Sequence, residues 1–290
     1  MIIIDFPKVN KTLFLPENLA ECDKRQYADM AKLLYMYNAG EINYLDFRVL
    51  ALYALLNLKS PKFIPKEISE EDTKWQQIFM LSEHIDHFFD RTETPEGTQL
   101  EIKLDFYNNH LPYLKLFTTF FGPKDGFEDV EFGQYVDGLE EYIYFSQTGD
   151  IEALRTLFGI FYLGRNERYE LKNAKKKAKG IFKHVDIRHL YGFYLWFTSM
   201  QQYILGGELM VMGQNINLSI IYQETGAEQK SNIPGIGMHS IVHDIAESGI
   251  FGSYNKVRET NMWTILLRLY EMKKRRLDEI QNEKNESKTI

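Results

Sequence analysis

Apolar residues recur along most of this chain at spacings of three and four, the period of a helix buried along one face. Tyr27, Met30, Ala31, Leu34 and Tyr37 form the first such face. It follows Asp23, which with Gln26 three residues on makes a capping box, and Asn38-Ala39-Gly40 ends it. A second helix from Asn43 puts Leu45, Val49, Leu52 and Leu56 on one side, and the short link between the two predicts an αα-hairpin. After breaks at Ser60-Pro61 and Pro65, a helix is expected from about 69 to 89, with acidic residues in its first turn. Further helices are expected over 131–147 and 150–162 around Thr148-Gly149, and a basic helix over 169–182. An aromatic helix over 186–203, continuing past Gly206-Gly207, precedes a short one over 238–247 closed by Gly249. The last, over 254–283, carries Trp263, Leu266, Tyr270, Leu277 and Ile280 on one stripe, and its charged end should fray.

A period of two is rarer. Residues 1–6 and 12–15, parted by Pro7 and Asn10-Lys11, predict a short β element. Leu100, Ile102, Leu104 and Phe106 alternate with Glu101, Lys103 and Asp105, which predicts a strand over 99–106 after a loop over 91–98. The apolar stretch 113–121 fits a strand or a short helix, and Gly122-Pro123-Lys124-Asp125-Gly126 breaks the chain. Residues 223–236 read as a polar loop. The expected fold class is therefore mainly α with a small N-terminal β element (α+β), a multi-helix domain. It divides into a smaller α+β part over 1–122, with the β element and helix hairpin, and an all-helical part over 123–290 ending in a long charged helix.

Composition narrows the function classes. With 44% hydrophobic and 26% charged residues the 290-residue chain belongs with globular proteins rather than disordered ones. A net charge of −7 disfavours a surface basic all round, as wholesale nucleic-acid binding would require. The single Cys22 excludes an intramolecular disulfide and a cysteine-rich zinc site. Ile2-Ile3-Ile4 is too short for a signal peptide's apolar region, and no apolar run approaches the roughly 20 residues that span a bilayer, so a cytoplasmic protein with no membrane partner is expected. Twenty Phe, 18 Tyr and ten Met suit a large helical core and adaptable interface surfaces alike.

Candidate chemistry is sparse: no P-loop, G-x-G-x-x-G, G-x-S-x-G or H-E-x-x-H motif occurs. No cofactor is expected. His239 and His243, at i and i+4 with Asp244 and Glu247 following, have the spacing of zinc ligands, but Ser240 stands where a metalloprotease needs Glu. His84 and His87 beside Glu83 and Asp86 form a second cluster, lacking the paired Glu-x-x-His pattern of diiron bundles. Cys22, ahead of a helix start, has a position that could lower its pKa, though no base is placed beside it. The plainest charge feature is the run Lys172, Lys175, Lys176, Lys177, Lys179 and Lys183, extended by Arg165, Arg168 and Arg188; helical spacing gathers Lys172, Lys175, Lys176, Lys179 and Lys183 on one face. Such a face is a solvated surface, a contact for an acidic protein, or a phosphate-binding stripe. The chain has acids of its own to offer it, at Asp125, Glu128, Asp129, Glu131, Asp137, Glu140 and Glu141.

Three stretches resemble a known group of proteins: Leu15-Pro16-Glu17 with the helix hairpin through Arg48 and Leu58; Phe121-Gly122-Pro123, Phe132 and Leu154 to Leu163 with Arg165; and Gly249-Ile250-Phe251-Gly252 before the last helix. Their layout is similar to helical tail-region proteins, tail assembly chaperone-like, of phages and prophages of Bacteroidetes-type bacteria. Where that group often has Tyr-Arg-Pro, this chain has Tyr162-Leu163-Gly164-Arg165. The resemblance brings no catalytic residues. It implies a non-enzymatic phage tail assembly or morphogenesis protein that binds a helical partner such as a tape-measure protein, in the host cytoplasm or in the virion. Lys172, Lys175, Lys176, Lys179, Lys183, Trp263 and Tyr270 are the expected contact residues. The alternatives are a nucleic-acid-binding accessory protein using the lysine helix and a metal-dependent enzyme at His239 and His243.

Overall fold

The computed structural model describes residues 1–6, 11–65, 72–95, 97–211, 214–222 and 238–286. Ten α-helices and four small antiparallel sheets stand among them, so the protein is a mainly α, α+β multi-helix fold. The chain forms two units, Met1–Leu111 with His184–Ser199 and Pro112–Lys183 with Met200–Ile290. A cut at 122 treats the chain as two consecutive pieces; the first unit instead takes in a later segment.

In the first unit, β1 (Ile2–Phe6) and β2 (Lys11–Leu15) pair with Ile3 opposite Phe14. Helix α1 (Lys24–Asn38) starts at the predicted capping box and buries Tyr27, Ala28, Met30, Ala31 and Leu34. Helix α2 (Tyr44–Leu55) is capped by Asn43 but buries Phe47, Val49, Ala51, Leu52 and Leu55, whereas Leu45 is exposed. Two α1 side chains finish α2: Arg25 Nη1 donates to Ala54 O (2.7 Å) and Gln26 Nε2 to Leu55 O (2.8 Å), pairing carbonyls that a helix end leaves open. Helix α3 (Thr73–Ser82) ends seven residues before the expected 89; a 3₁₀ segment over Glu83–Phe88 follows. The expected start at 69 lies outside the described residues. The helical period misled because Thr92 and Thr94 favour extended backbone, and β3 (Phe89–Thr94) pairs with β4 (Gly97–Ile102) through most of what reads as a loop. The strand over 99–106 accordingly starts earlier and stops at Ile102.

The later segment is tied to this unit by specific bonds. Helix α4 (Phe132–Thr148), α5 (Ile151–Phe161) and α6 (Leu171–Lys179) precede it, and α7 (Ile187–Gly206) begins within it. Tyr27 Oη donates to Gly192 O (2.7 Å), Trp196 Nε1 to Tyr107 O (3.0 Å) and Ser199 Oγ to Phe106 O (2.5 Å). A Cβ on Gly192 would sit 2.8 Å from a Leu111 methyl and 3.2 Å from the Tyr27 ring, so a larger residue here would push both aside.

The second unit holds a three-stranded sheet of β5 (Tyr113–Lys115), β6 (Thr119–Phe121) and β7 (Leu163–Gly164). The stretch 113–121 is thus a hairpin. Helices α4 and α5 flank Gly149, left-handed at φ 68°, as their boundary predicts. Close packing of α4, α5 and α6 relies on two glycines: a Cβ on Gly138 would lie 2.5 Å from Phe161, and one on Gly159 2.9 Å from Ala174 O. Helix α6 is shorter than the expected 169–182 because the chain turns at Gly180. Helix α7 stops at Gly206 rather than running on, and the backbone leaves into β8 (Glu208–Val211), paired with β9 (Gln214–Asn217). Sheet therefore enters the part expected to be all helical. The 223–236 loop lies outside the described residues.

Helix α8 (Met238–Glu247) stands as expected. The final helix is two, α9 (Tyr254–Glu259) and α10 (Met262–Glu286). Thr260 is extended at ψ 144°, Phe132 N donates to Thr260 O (2.8 Å), Met262 N donates to Val130 O (2.9 Å), and Asn261 Oδ1 accepts from Trp263 N (3.0 Å). Tertiary hydrogen bonds replace the helical ones there, and apolar spacing carries no trace of the exchange.

Candidate interaction site

Where the expected contact residues stand decides what they can touch. On α6, Ala174 and Ala178 are buried while Lys172, Lys175, Lys176 and Lys179 are exposed on one face; Lys183, expected on the same face, is exposed but lies past the turn at Gly180 in a 3₁₀ segment, Ile181–His184, because the helix ends at Lys179. Part of it is neutralised within the unit: Lys175 lies 3.8 Å from Glu141 and Lys179 3.2 Å from Glu152. Lys172, Lys176 and Lys183 have no ion pair among the described residues. Lys177, outside the expected face, is turned inward. Its Nζ donates to Tyr162 O (2.9 Å), pairs with Glu167 (2.9 Å) and lies over the Phe182 ring (5.7 Å), and burial lowers its pKa.

Trp263 is only partly available. Its Nε1 donates to Gly126 O (2.8 Å) and its ring meets Tyr203 edge-on, so it anchors α10 to the fold. Leu266 is buried, and Tyr270, Leu277 and Ile280 are half-buried. With Lys273 they continue a spacing of four, three, four and three along α10, flanked by exposed Lys274, Arg275, Arg276, Asp278 and Glu279.

His239 and His243 go to different partners. His239 Nε2 lies 2.9 Å from a Glu140 oxygen, and the His243 ring packs against Tyr254 with centroids 4.7 Å apart. His84 and His87 face each other at 6.0 Å, while Asp86 next to them accepts from Tyr44 and pairs with Arg48 and Arg91. Among the described residues no three His, Cys, Asp or Glu side chains group to hold a metal ion. Cys22 reverses its expectation: it is buried, and desolvation pushes its thiol up to about 12, overriding the helix start nearby.

Two features carry no signal in local periodicity. The first is Asp137 on α4, the one buried charged residue among the described residues. It accepts from Arg258 of α9 through Nη1 (3.2 Å) and Nη2 (2.5 Å) and from the Tyr169 hydroxyl, with His239 Nε2 at 3.9 Å. Burial and the neighbouring carboxylate push the Tyr169 phenol far above its usual range, so it stays a donor. Gly133 makes room: a Cβ there would meet Arg258 at 3.0 Å. With three hydrogen bonds from two segments, Asp137 ties α4 to the Tyr169 segment and to α9.

The second is the 113–121 hairpin and the cavity at its foot. Leu114 and Phe120 face the core, where Phe120 meets Phe182 edge-on, while Tyr113 and Phe121 sit opposite each other on the solvent face. Phe117 at the tip is wholly exposed, and Tyr113, Leu116 and Phe121 are 36–46% exposed. The cavity, about 460 Å³, is lined by Phe121, Pro123, Val130, Phe161 and Leu163, with Asp129 and Arg165 also lining it. Here the Phe121-Gly122-Pro123 stretch and Arg165 meet. Gly122 is required because a Cβ would stand 2.8 Å from the Tyr162 ring. No helix among the described residues is long and apolar enough to cross a membrane. No family model, curated protein or solved structure matches the chain.

Proposed function

We propose that this chain is a non-enzymatic assembly protein that holds a helical protein partner, the role implied by its resemblance to phage tail-region proteins. A tape-measure-type helix is the partner this reading favours. The α10 seam carries it: Tyr270, Leu277 and Ile280 stay half-exposed at the spacing by which one helix packs along another. Burial of these side chains supplies affinity that salt does not screen. The test is capture of tagged full-length protein from its producing cells, with nuclease and a molar-salt wash. A helical protein retained by the native chain and lost from the Leu277→Asp, Ile280→Asp variant supports the reading. Retention by both chains, or by neither, contradicts it.

Nucleic-acid binding through α6 and the 3₁₀ segment after it is the second reading, favoured by Lys172, Lys176 and Lys183, which have no ion pair among the described residues. Three phosphates neutralised would cut affinity roughly 40-fold between 50 and 200 mM salt. Titration of a labelled duplex across that range separates the readings.

A further inference from the structure

The 113–121 hairpin presents a surface that the fold leaves uncovered. Isolated exposed apolar residues are ordinary, but here Tyr113, Leu116, Phe117 and Phe121 share one nine-residue hairpin whose other face already fills the core. The hairpin is also a sheet edge, since β5 is the outer strand of the β5-β6-β7 sheet. We propose that it is a self-association element: the Phe117 tip of one copy seats in the cavity at the hairpin foot of a second copy, and the exchange is mutual about a two-fold axis.

Knob and hole lie on the same chain, joined through Phe121, which belongs to both. From Phe117 through the bend and along β6 to Phe121 the chain covers at most roughly 13 Å. Two hairpins laid antiparallel and offset by that length put each tip on the other's foot, the self-complementary arrangement of a two-fold interface. The same placement covers Tyr113, Leu116 and Phe121. Charge agrees with it. Lys115 has no carboxylate partner among the described residues and rests only on its own Tyr113 ring, 5.6 Å away. The cavity lining supplies Asp129, exposed beside exposed Glu128; Asp129 Oδ1 accepts from Lys124 N (2.8 Å), and its other oxygen faces the incoming lysine in this arrangement. Arg165, also lining it and without an ion pair among the described residues, is placed to lie over an aromatic ring of the incoming hairpin.

Sedimentation equilibrium of the full-length chain tests this. The native chain should show a concentration-dependent monomer–dimer equilibrium, and Phe117→Ser should weaken it at least about 30-fold while leaving the circular dichroism spectrum and melting temperature unchanged. Lys115→Asp and Asp129→Lys should each weaken the dimer, and the double variant should recover most of the loss. A native chain monomeric up to about 100 µM, where a standard-sized interface is saturated, overturns the proposal. So does a dimer that Phe117→Ser leaves intact, or a double variant no tighter than the single ones.

Discussion

Asp137 and Arg258, 121 positions apart in sequence, share a two-nitrogen ion pair in which the carboxylate is buried and the arginine side chain is partly exposed. Removing the carboxylate takes the acceptor from the Tyr169 hydroxyl and from the partly exposed Arg258, so Asp137→Ala should destabilise the protein by about 1–3 kcal/mol in urea unfolding. The double variant with Arg258→Ala should cost less than the sum of the singles, because no stranded charge remains. Additive losses would show that the pair does not hold α9 to α4.

Gly149 ends α4 in the left-handed region at φ 68°. Nothing lies within 4 Å of a Cβ built there, so Gly149→Ala tests backbone conformation alone. It should cost about 1 kcal/mol, read as a lowered melting temperature. An unchanged melting temperature would contradict the left-handed cap.

Stability should fall in two steps as pH drops. Burial lowers the His189 pKa, and its Nδ1 has no hydrogen-bond partner among the described residues, so the fold favours neutral imidazole. A folded pKa below the unfolded one gives stability that is full above 6.5 and is lost as pH falls through the folded value. The hydrogen bond from Arg188 holds Asp186 at about 2, so its share is full above 3.8 and is lost between 3.8 and 2. Both side chains of that pair are more than two-fifths exposed, so screening keeps this share below about 1 kcal/mol. Urea midpoints should decline from pH 7.5 to 5.5, with His189→Gln flattening that step and Asp186→Asn the step below pH 4. Unchanged slopes in the variants would contradict these assignments.

Cys22 should be inert to thiol reagents at pH 8 in the folded chain and react at once in denaturant, because burial holds it protonated with a thiol pKa of about 12. Full-speed labelling of the native protein would contradict its burial.

Local signals place most of the helices. Asp23 with Gln26, Asn43 and Gly149 fix boundaries through bonds within a few residues, and all three ends stand where expected. The misses come where distant chain decides. Thr260 and Asn261 interrupt an unbroken apolar period because Val130 and Phe132 offer backbone partners. Gly206-Gly207 ends α7, and Thr92 and Thr94 join a hairpin with residues from 97 onward. The lysine face of α6 is legible because helical spacing alone gathers it, but its pairing with Glu141 and Glu152 is not. Asp137 reads as one acid among many in a stretch of mixed charge. Phe117 is one position in an apolar stretch that fits a strand or a short helix, and sequence gives no sign of which of its residues meet solvent.

The most direct measurement is hydrogen exchange along α10 with and without the partner retained at molar salt. Slower exchange concentrated over residues 270–282 would be the result this account predicts, since the amides of that half of the helix would stop fraying once Leu277 and Ile280 are covered. Unchanged exchange there, with protection appearing instead around Lys172 to Lys183, would contradict it and move the interaction to the charged face of α6.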